Sequence, residues 1–192
     1  APLRTILSGA IRTFSASIPS SDCARGASPS VRVLDLFSGL GGFSSAFREH
    51  GDEVVTVDIE SKFSPSIVAD IRKLRYPSLS LDGEFDVILA SPPCEHFSVA
   101  GFPSGFPRDG SIEAVGVVAT TFRLIAQIRP WFYVVENPRG LLRKIIGLPS
   151  ATVSLCQYGD TRMKPTDLWG RLPPMFTPRM CRNGSSCHER AP

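Results

Sequence analysis

The chain has 192 residues, of which 42% are hydrophobic and 20% charged, as suits one domain with a real core plus some irregular extension. No apolar run approaches the roughly 18 residues that a membrane span needs, so the chain reads as soluble; a net charge of +3, from 21 Lys and Arg against 18 Asp and Glu, permits a polyanionic partner without requiring one. Five scattered cysteines, an odd number, argue against a complete disulfide framework and for a reducing compartment.

Residues 1–30 carry Arg4, Arg12 and Arg25 against a single acid, Asp22, among many Ser and Ala. They read as a poorly ordered leader or extension. Leu3, Ile6, Leu7, Ala10, Ile11 and Phe14 nevertheless share one helical face, a pattern also found in organelle transit peptides. From residue 31 the character changes. "VRVLDLF" (31–37) predicts a buried strand that ends in the glycine cluster of "SGLGGFSSAFREHG", with Phe43, Ala46 and Phe47 at helical spacing beyond it. "EVVTVDI" (53–59), "FDVILAS" (85–91) and "WFYVVEN" (131–137) predict three more strands, and a helix is expected within 111–129. Strands alternating with helices imply a doubly wound, mostly parallel α/β sheet.

In such a sheet the carboxyl ends of the strands share one edge, where ligands bind. The residues that follow each strand are therefore the candidates: Phe37, Ser38, Gly39, Leu40, Gly41 and Gly42; Asp58, Ile59 and Glu60; Pro92, Pro93 and Cys94; Glu136, Asn137 and Pro138. The glycines let a turn approach a ligand closely, and Asp58 is placed to accept from ribose hydroxyls. Their spacing departs from GxGxxG, which favours a nucleoside without a pyrophosphate. Pro92 and Pro93 fix the backbone ahead of Cys94 and so aim its thiol. A thiol is mostly protonated at neutral pH, so a nucleophilic role needs help from its surroundings. Glu136 closes an otherwise apolar strand, either as a salt-bridged structural carboxylate or as a proton donor. Cys94 and Glu136 together would make a nucleophile and acid pair.

"DLFSGLGGFSSAF", "VDIE", "ADI", "DVILASPPCEHFS" and "VVENP", in that order over about residues 31–140, resemble the successive motifs of the DNA (cytosine-5)-methyltransferase family, with short phage-type forms the nearest in size. The resemblance implies a Rossmann-like sheet of the S-adenosylmethionine-dependent methyltransferase type, with residues 31–150 as the catalytic domain. Residues 151–192 would be a short segment in place of a full target-recognition region. S-adenosylmethionine would lie over Phe37, Ser38, Gly39, Leu40, Gly41 and Gly42, with Asp58 at the ribose, Ile59, Asp70 and Ile71 at the adenine, and Pro92 beside it. Cys94 matches the nucleophile that adds to carbon 6 of cytosine, and Glu136 the acid at the ring nitrogen and exocyclic amine. The expected partner is double-stranded DNA in the cytoplasm of a bacterial or phage-infected cell.

Departures from the pattern accompany these matches. Glu95 follows the cysteine where the family usually has Gln, and Pro138 follows Glu-Asn where it usually has Val. In "CQYGDTRMKPTDLWG" (156–170), Gln157 matches, and Arg162, with Lys164 near it, stands for a pair of arginines that contact the target base and backbone. The glycine-rich stretch 99–110, with Arg108, reads as a loop that closes over the base. Cys156, Cys181, Cys187 and His188 lack a paired CxxC spacing, so they read as unrelated loop thiols and no metal is expected. Two alternatives stay open: an RNA cytosine methyltransferase, and a non-catalytic or split subunit that needs a second subunit.

Overall fold

The densest apolar runs become strands. In the computed structural model β1 (Arg32–Leu36), β2 (Glu53–Asp58), β3 (Ile67–Val68), β4 (Val87–Ala90), β5 (Phe132–Pro138), β6 (Ala151–Ser154) and β7 (Pro165–Gly170) form one sheet in the order β3-β2-β1-β4-β5-β7-β6. The structure describes residues 30–77, 81, 83–97 and 111–189, together with 3, 6, 7 and 9–11 near the N-terminus. The stretch 99–110, with Arg108, lies outside the described residues.

Strands β3, β2, β1, β4 and β5 are parallel, which bears out the doubly wound reading. β7 runs antiparallel to both β5 and β6. β6 therefore points the same way as β5, and its carboxyl end returns to the ligand edge.

Alternation along the strands divides the core into two layers, because successive side chains point to opposite faces of a sheet. Ile88, Ala90 and Val135 face one side, under α2 (Ser111–Ile128); Val87, Leu89 and Val134 face the other, with Phe43 and with Phe47 of α1 (Ser45–His50). A short helix, α3 (Leu142–Ile145), follows β5 and buries Leu142 against the first layer. Burying each such side chain contributes about 1.5–3 kcal/mol before the entropy of ordering is counted.

Two expectations need correction. The 18 residues of α2 reach a mean hydropathy of 1.3, so this helix is long and apolar enough to cross a bilayer. Its buried residues Ala114, Val118, Thr121, Ile125 and Ile128 recur on one face, and that face packs on the sheet as a core helix does. Nor does a solvated extension describe Leu3, Leu7 and Ile11. They fall on helical backbone one turn apart and are at most 5% exposed, joined to the second core layer.

Candidate active site at the carboxyl edge of the sheet

Beyond Leu36 the chain turns through positive φ angles at Phe37 (61°), Gly39 (49°) and Gly41 (73°). Glycine adopts that region freely, whereas Phe37 stores strain on the order of 1 kcal/mol there. A Cβ at Gly41 would sit 2.2 Å from Nη1 of Arg48, the atom that donates to the Gly41 carbonyl at 3.3 Å. At Gly39 and Gly42 an added Cβ would meet none of the described atoms within 4 Å. The turn thus keeps an open backbone face.

Asp58 at the end of β2 fastens that turn. One carboxylate oxygen accepts the Gly39 N–H at 2.8 Å, and the other accepts the Glu60 N–H at 2.9 Å. Each oxygen retains a lone pair for a ligand hydroxyl. Leu40 and Ile59 stand beside it 92% and 63% exposed, which is apolar surface that a bound ring could cover. An open cavity of about 260 Å³ adjoins the turn, lined in part by Ser38, Gly39, Gly41, Arg48, Thr56 and Ser66.

Asp70 and Ile71 are more committed than the sequence suggests. Asp70 caps a short 3-10 turn by accepting the Arg72 N–H at 2.9 Å, and it takes the Arg72 guanidinium at 2.6–3.0 Å. The Arg72 hydrogen bonds hold the Asp70 carboxyl below the usual carboxylate range. Ile71 is buried with Leu36 and Leu74, so its side chain serves the core.

The loop that carries Cys94 is pinned at one end to the last residues of β5 and at the other to the segment that follows it. Ala90 pairs with Val135 across the parallel ladder, so the next residues on each strand, Ser91 and Pro92, come level with Glu136 and Asn137. Asn137 Nδ2 donates to the buried Pro92 carbonyl at 2.9 Å. Farther on, the Phe97 N–H closes a turn on the Cys94 carbonyl at 3.0 Å, and the Phe97 carbonyl accepts the Leu141 N–H at 2.8 Å. Gly140 is required there, since a Cβ would come within 2.2 Å of the Phe97 carbonyl oxygen. Cys94 is a free, half-buried thiol, and Glu136 is buried beside the loop's anchor. Ser91 Oγ and Asn137 Oδ1 are buried and without a hydrogen-bond partner among the described residues. A second cavity, of about 200 Å³, opens behind the loop between Pro93, His96, Arg72 and Glu113.

The structure thus brings the glycine turn, Asp58, Pro92, Cys94 and Glu136 to one edge of the sheet. Arg162 shares that edge because the 155–164 connection joins the carboxyl end of β6 to the start of β7. Its side chain is exposed and paired with Asp160, Nε to Oδ1 at 3.3 Å; the Arg162 backbone N–H is the first cause that lowers the Asp160 carboxyl. Gly140 and the Asn137 tether escape sequence reasoning, and the only local signal for Gly140 is a glycine two residues past a strand.

On β7, directly across the ladder from Asn137, Asp167 is fully buried and paired with Arg143, whose Nε donates at 2.9 Å, and it also accepts from the Thr152 hydroxyl at 2.8 Å. The reading of Cys156, Cys181, Cys187 and His188 as unrelated thiols is corrected as well. Their ligand atoms all lie within 4.8 Å of one another, because residues beyond β7 double back to the end of β6.

A family model described as C-5 cytosine-specific DNA methylase matches residues 31–148. The chain is 32% identical over 172 residues to the DNA (cytosine-5)-methyltransferase assigned to frog virus 3 (isolate Goorha), a match that covers 82% of this chain and 78% of that protein. It is 32% identical over 117 residues to the type II methyltransferase M.AplI of Arthrospira platensis, where it covers 58% of this chain but spans only 32% of the relative. A DNA modification methyltransferase assigned to an E. coli prophage superposes with a TM-score of 0.55 at 21% identity, over 79% of this chain and 53% of that one. Magnesium protoporphyrin IX methyltransferase from Synechocystis PCC 6803, solved with bound SAM, gives a TM-score of 0.51 at 13% identity, over 88% of this chain and 76% of that one. Both structures share the fold.

Proposed function

This chain belongs to the C-5 cytosine-specific DNA methylase family, and from that premise we propose that it methylates carbon 5 of cytosine in double-stranded DNA, with Cys94 as nucleophile and Glu136 as its acid partner. The observation that carries the proposal is the double pinning of the Cys94 loop, through Asn137 to Pro92 and through Leu141 to Phe97. It supports the reading by holding the loop that bears Cys94 beside the strand end that bears Glu136. Holding reacting groups in a fixed relation is one of the largest sources of rate enhancement available to a protein.

The residues present fit S-adenosylmethionine. The open face of Gly39 and Gly42 admits a ligand backbone, Asp58 keeps acceptor capacity for ribose hydroxyls, and the exposed Leu40 and Ile59 offer apolar cover for an adenine. When bound there, the cofactor supplies an electrophilic methyl group. The side chains do the rest. Cys94 adds its sulfur to carbon 6 of a cytosine swung out of the duplex, at an unstacking cost of a few kcal/mol. Glu136 engages the ring nitrogen and exocyclic amine, so the electron pair released by the addition gathers at carbon 5. After methylation, loss of the carbon 5 proton and β-elimination of Cys94 restore the aromatic ring. Arg162, on the same edge, contacts the DNA backbone near the target.

The test is transfer of a labelled methyl group from S-adenosylmethionine to unmethylated duplex DNA, with single-stranded RNA in parallel. We expect label on carbon 5 of cytosine in DNA, abolished by Cys94→Ala. Label on RNA alone would replace the polymer, and label on DNA that survives Cys94→Ala would overturn the covalent route.

A further inference from the structure

We propose that Cys156, Cys181, Cys187 and His188 hold one structural Zn²⁺ that ties the segment following β7 to the carboxyl end of β6. Methyl transfer uses none of these residues, so the inference is independent of the proposed reaction.

The geometry points to a single tetrahedral ion. Cys187 Sγ lies 3.8 Å from Cys156 Sγ and 3.2 Å from Cys181 Sγ. His188 Nδ1 lies 3.5 Å from both Cys181 Sγ and Cys187 Sγ. Zinc bonds of about 2.3 Å to sulfur and about 2.0–2.1 Å to nitrogen, set at tetrahedral angles, place sulfurs roughly 3.8 Å apart and sulfur from nitrogen roughly 3.5 Å apart. The observed separations cluster on those values, the Cys181 to Cys187 pair being the tightest. None of the three thiols is in a disulfide.

The donor set selects the metal and its role. Three sulfurs and one imidazole suit a borderline-soft ion such as Zn²⁺ and not the oxygen-seeking Mg²⁺ or Ca²⁺. Four protein ligands close the coordination sphere and leave no position for a reacting water, which is the pattern of structural zinc. Gln157 Nε2 donates to Cys187 Sγ at 3.3 Å, the kind of outer contact that steadies a thiolate ligand.

The chain around the cluster is arranged for a staple. The Ser154 N–H donates to the Arg179 carbonyl at 2.9 Å, Cys181 N–H donates to Ser154 Oγ at 3.0 Å, and Glu189 N–H donates to the Thr161 carbonyl at 2.8 Å. These bonds bracket the four ligands. The staple also holds Ser154, Cys156 and Thr161, ahead of and within the 155–164 connection that carries Arg162.

The whole chain, purified without chelator and desalted, should retain about one Zn²⁺ per chain by elemental mass spectrometry, as a closed site does. Cys181→Ser with Cys187→Ser should abolish retention, and Cys94→Ala should leave it unchanged. To guard against variants that fail to fold, Co²⁺ is added to chelator-treated wild type; it should give thiolate-to-cobalt charge-transfer absorption and intense tetrahedral d–d bands, which Zn²⁺ then removes. Absence of both retained zinc and cobalt bands overturns the proposal. So does zinc retained by the double variant, or a Cys181–Cys187 disulfide found by peptide mapping of protein purified without air.

Discussion

The two ends of the sheet are ordered by different physics. In β1, β4 and β5, apolar strands are covered on both faces, and the loops at their carboxyl ends can be irregular because the core beneath them is not. From β6 through residue 189, a smaller set of buried apolar side chains, Val153, Tyr158, Leu168 and Trp169, is joined by concentrated polar devices: Asp167 with Arg143 and Thr152, and four metal-ligand side chains. The first kind of order is distributed over many weak contacts, and the second is concentrated in a few. Loss of a single group should therefore separate chemistry from stability in the first region and destroy local structure in the second.

The largest effect should follow Cys94→Ala, which removes the proposed nucleophile from a loop whose anchors are main chain and Asn137. Methyl transfer should fall by about 10⁴-fold or more, with the thermal midpoint of unfolding nearly unchanged; a parallel collapse in stability would break the contrast. Next comes Arg143→Met, which leaves the fully buried Asp167 carboxylate without its cation. Breaking a buried pair costs about 3–5 kcal/mol, and denaturant titration should place this variant far below Cys94→Ala in stability. Asn137→Leu unties Pro92 and should cost about 1–3 kcal/mol of transition-state stabilisation, read as a drop in kcat/KM with cofactor binding kept.

The smallest effect should come from Asp70→Asn at the exposed Arg72 pair. Its folded-state pKa is depressed by the Arg72 hydrogen bonds, so the pair stabilises above the unfolded carboxylate value near 3.9 and loses that stability as pH falls through the folded value. At neutral pH the variant should lose no more than about 1 kcal/mol, and it should show less acid-dependent loss below pH about 4. Equal sensitivity of wild type and variant in that range would remove Asp70 from the account.

The same contrast explains what could be read in advance. β1, β2, β4 and β5 announce themselves as apolar runs, and the residues that follow them name the edge where chemistry should lie. β6 and β7 do not, because "ATVS" and "PTDLWG" look like loop until Asp167 is known to meet Arg143, a partner 24 positions away. Leu3, Leu7 and Ile11 showed their helical spacing but not their destination, since what covers a sheet face is decided by the assembled sheet. The thiols are the sharpest case. Cys156 and Cys187 are 31 positions apart, and the irregular spacing becomes a cluster only after β7 reverses the chain.

That reversal bears on the open edge of the sheet. β7 delivers the chain to the edge opposite the ligand, where Arg171 N–H meets the Tyr133 carbonyl, and from there it climbs past Pro173, Pro174 and Pro178 to meet Ser154. β6 is the outermost strand, and an outermost strand with free N–H and C=O groups invites pairing with another chain. The returning segment meets that rim at Ser154, through the Arg179 carbonyl and the Cys181 N–H, while the opposite rim is a strand of two residues. Loss of the returning segment would accordingly be felt first as self-association through β6, with the sheet itself still folded.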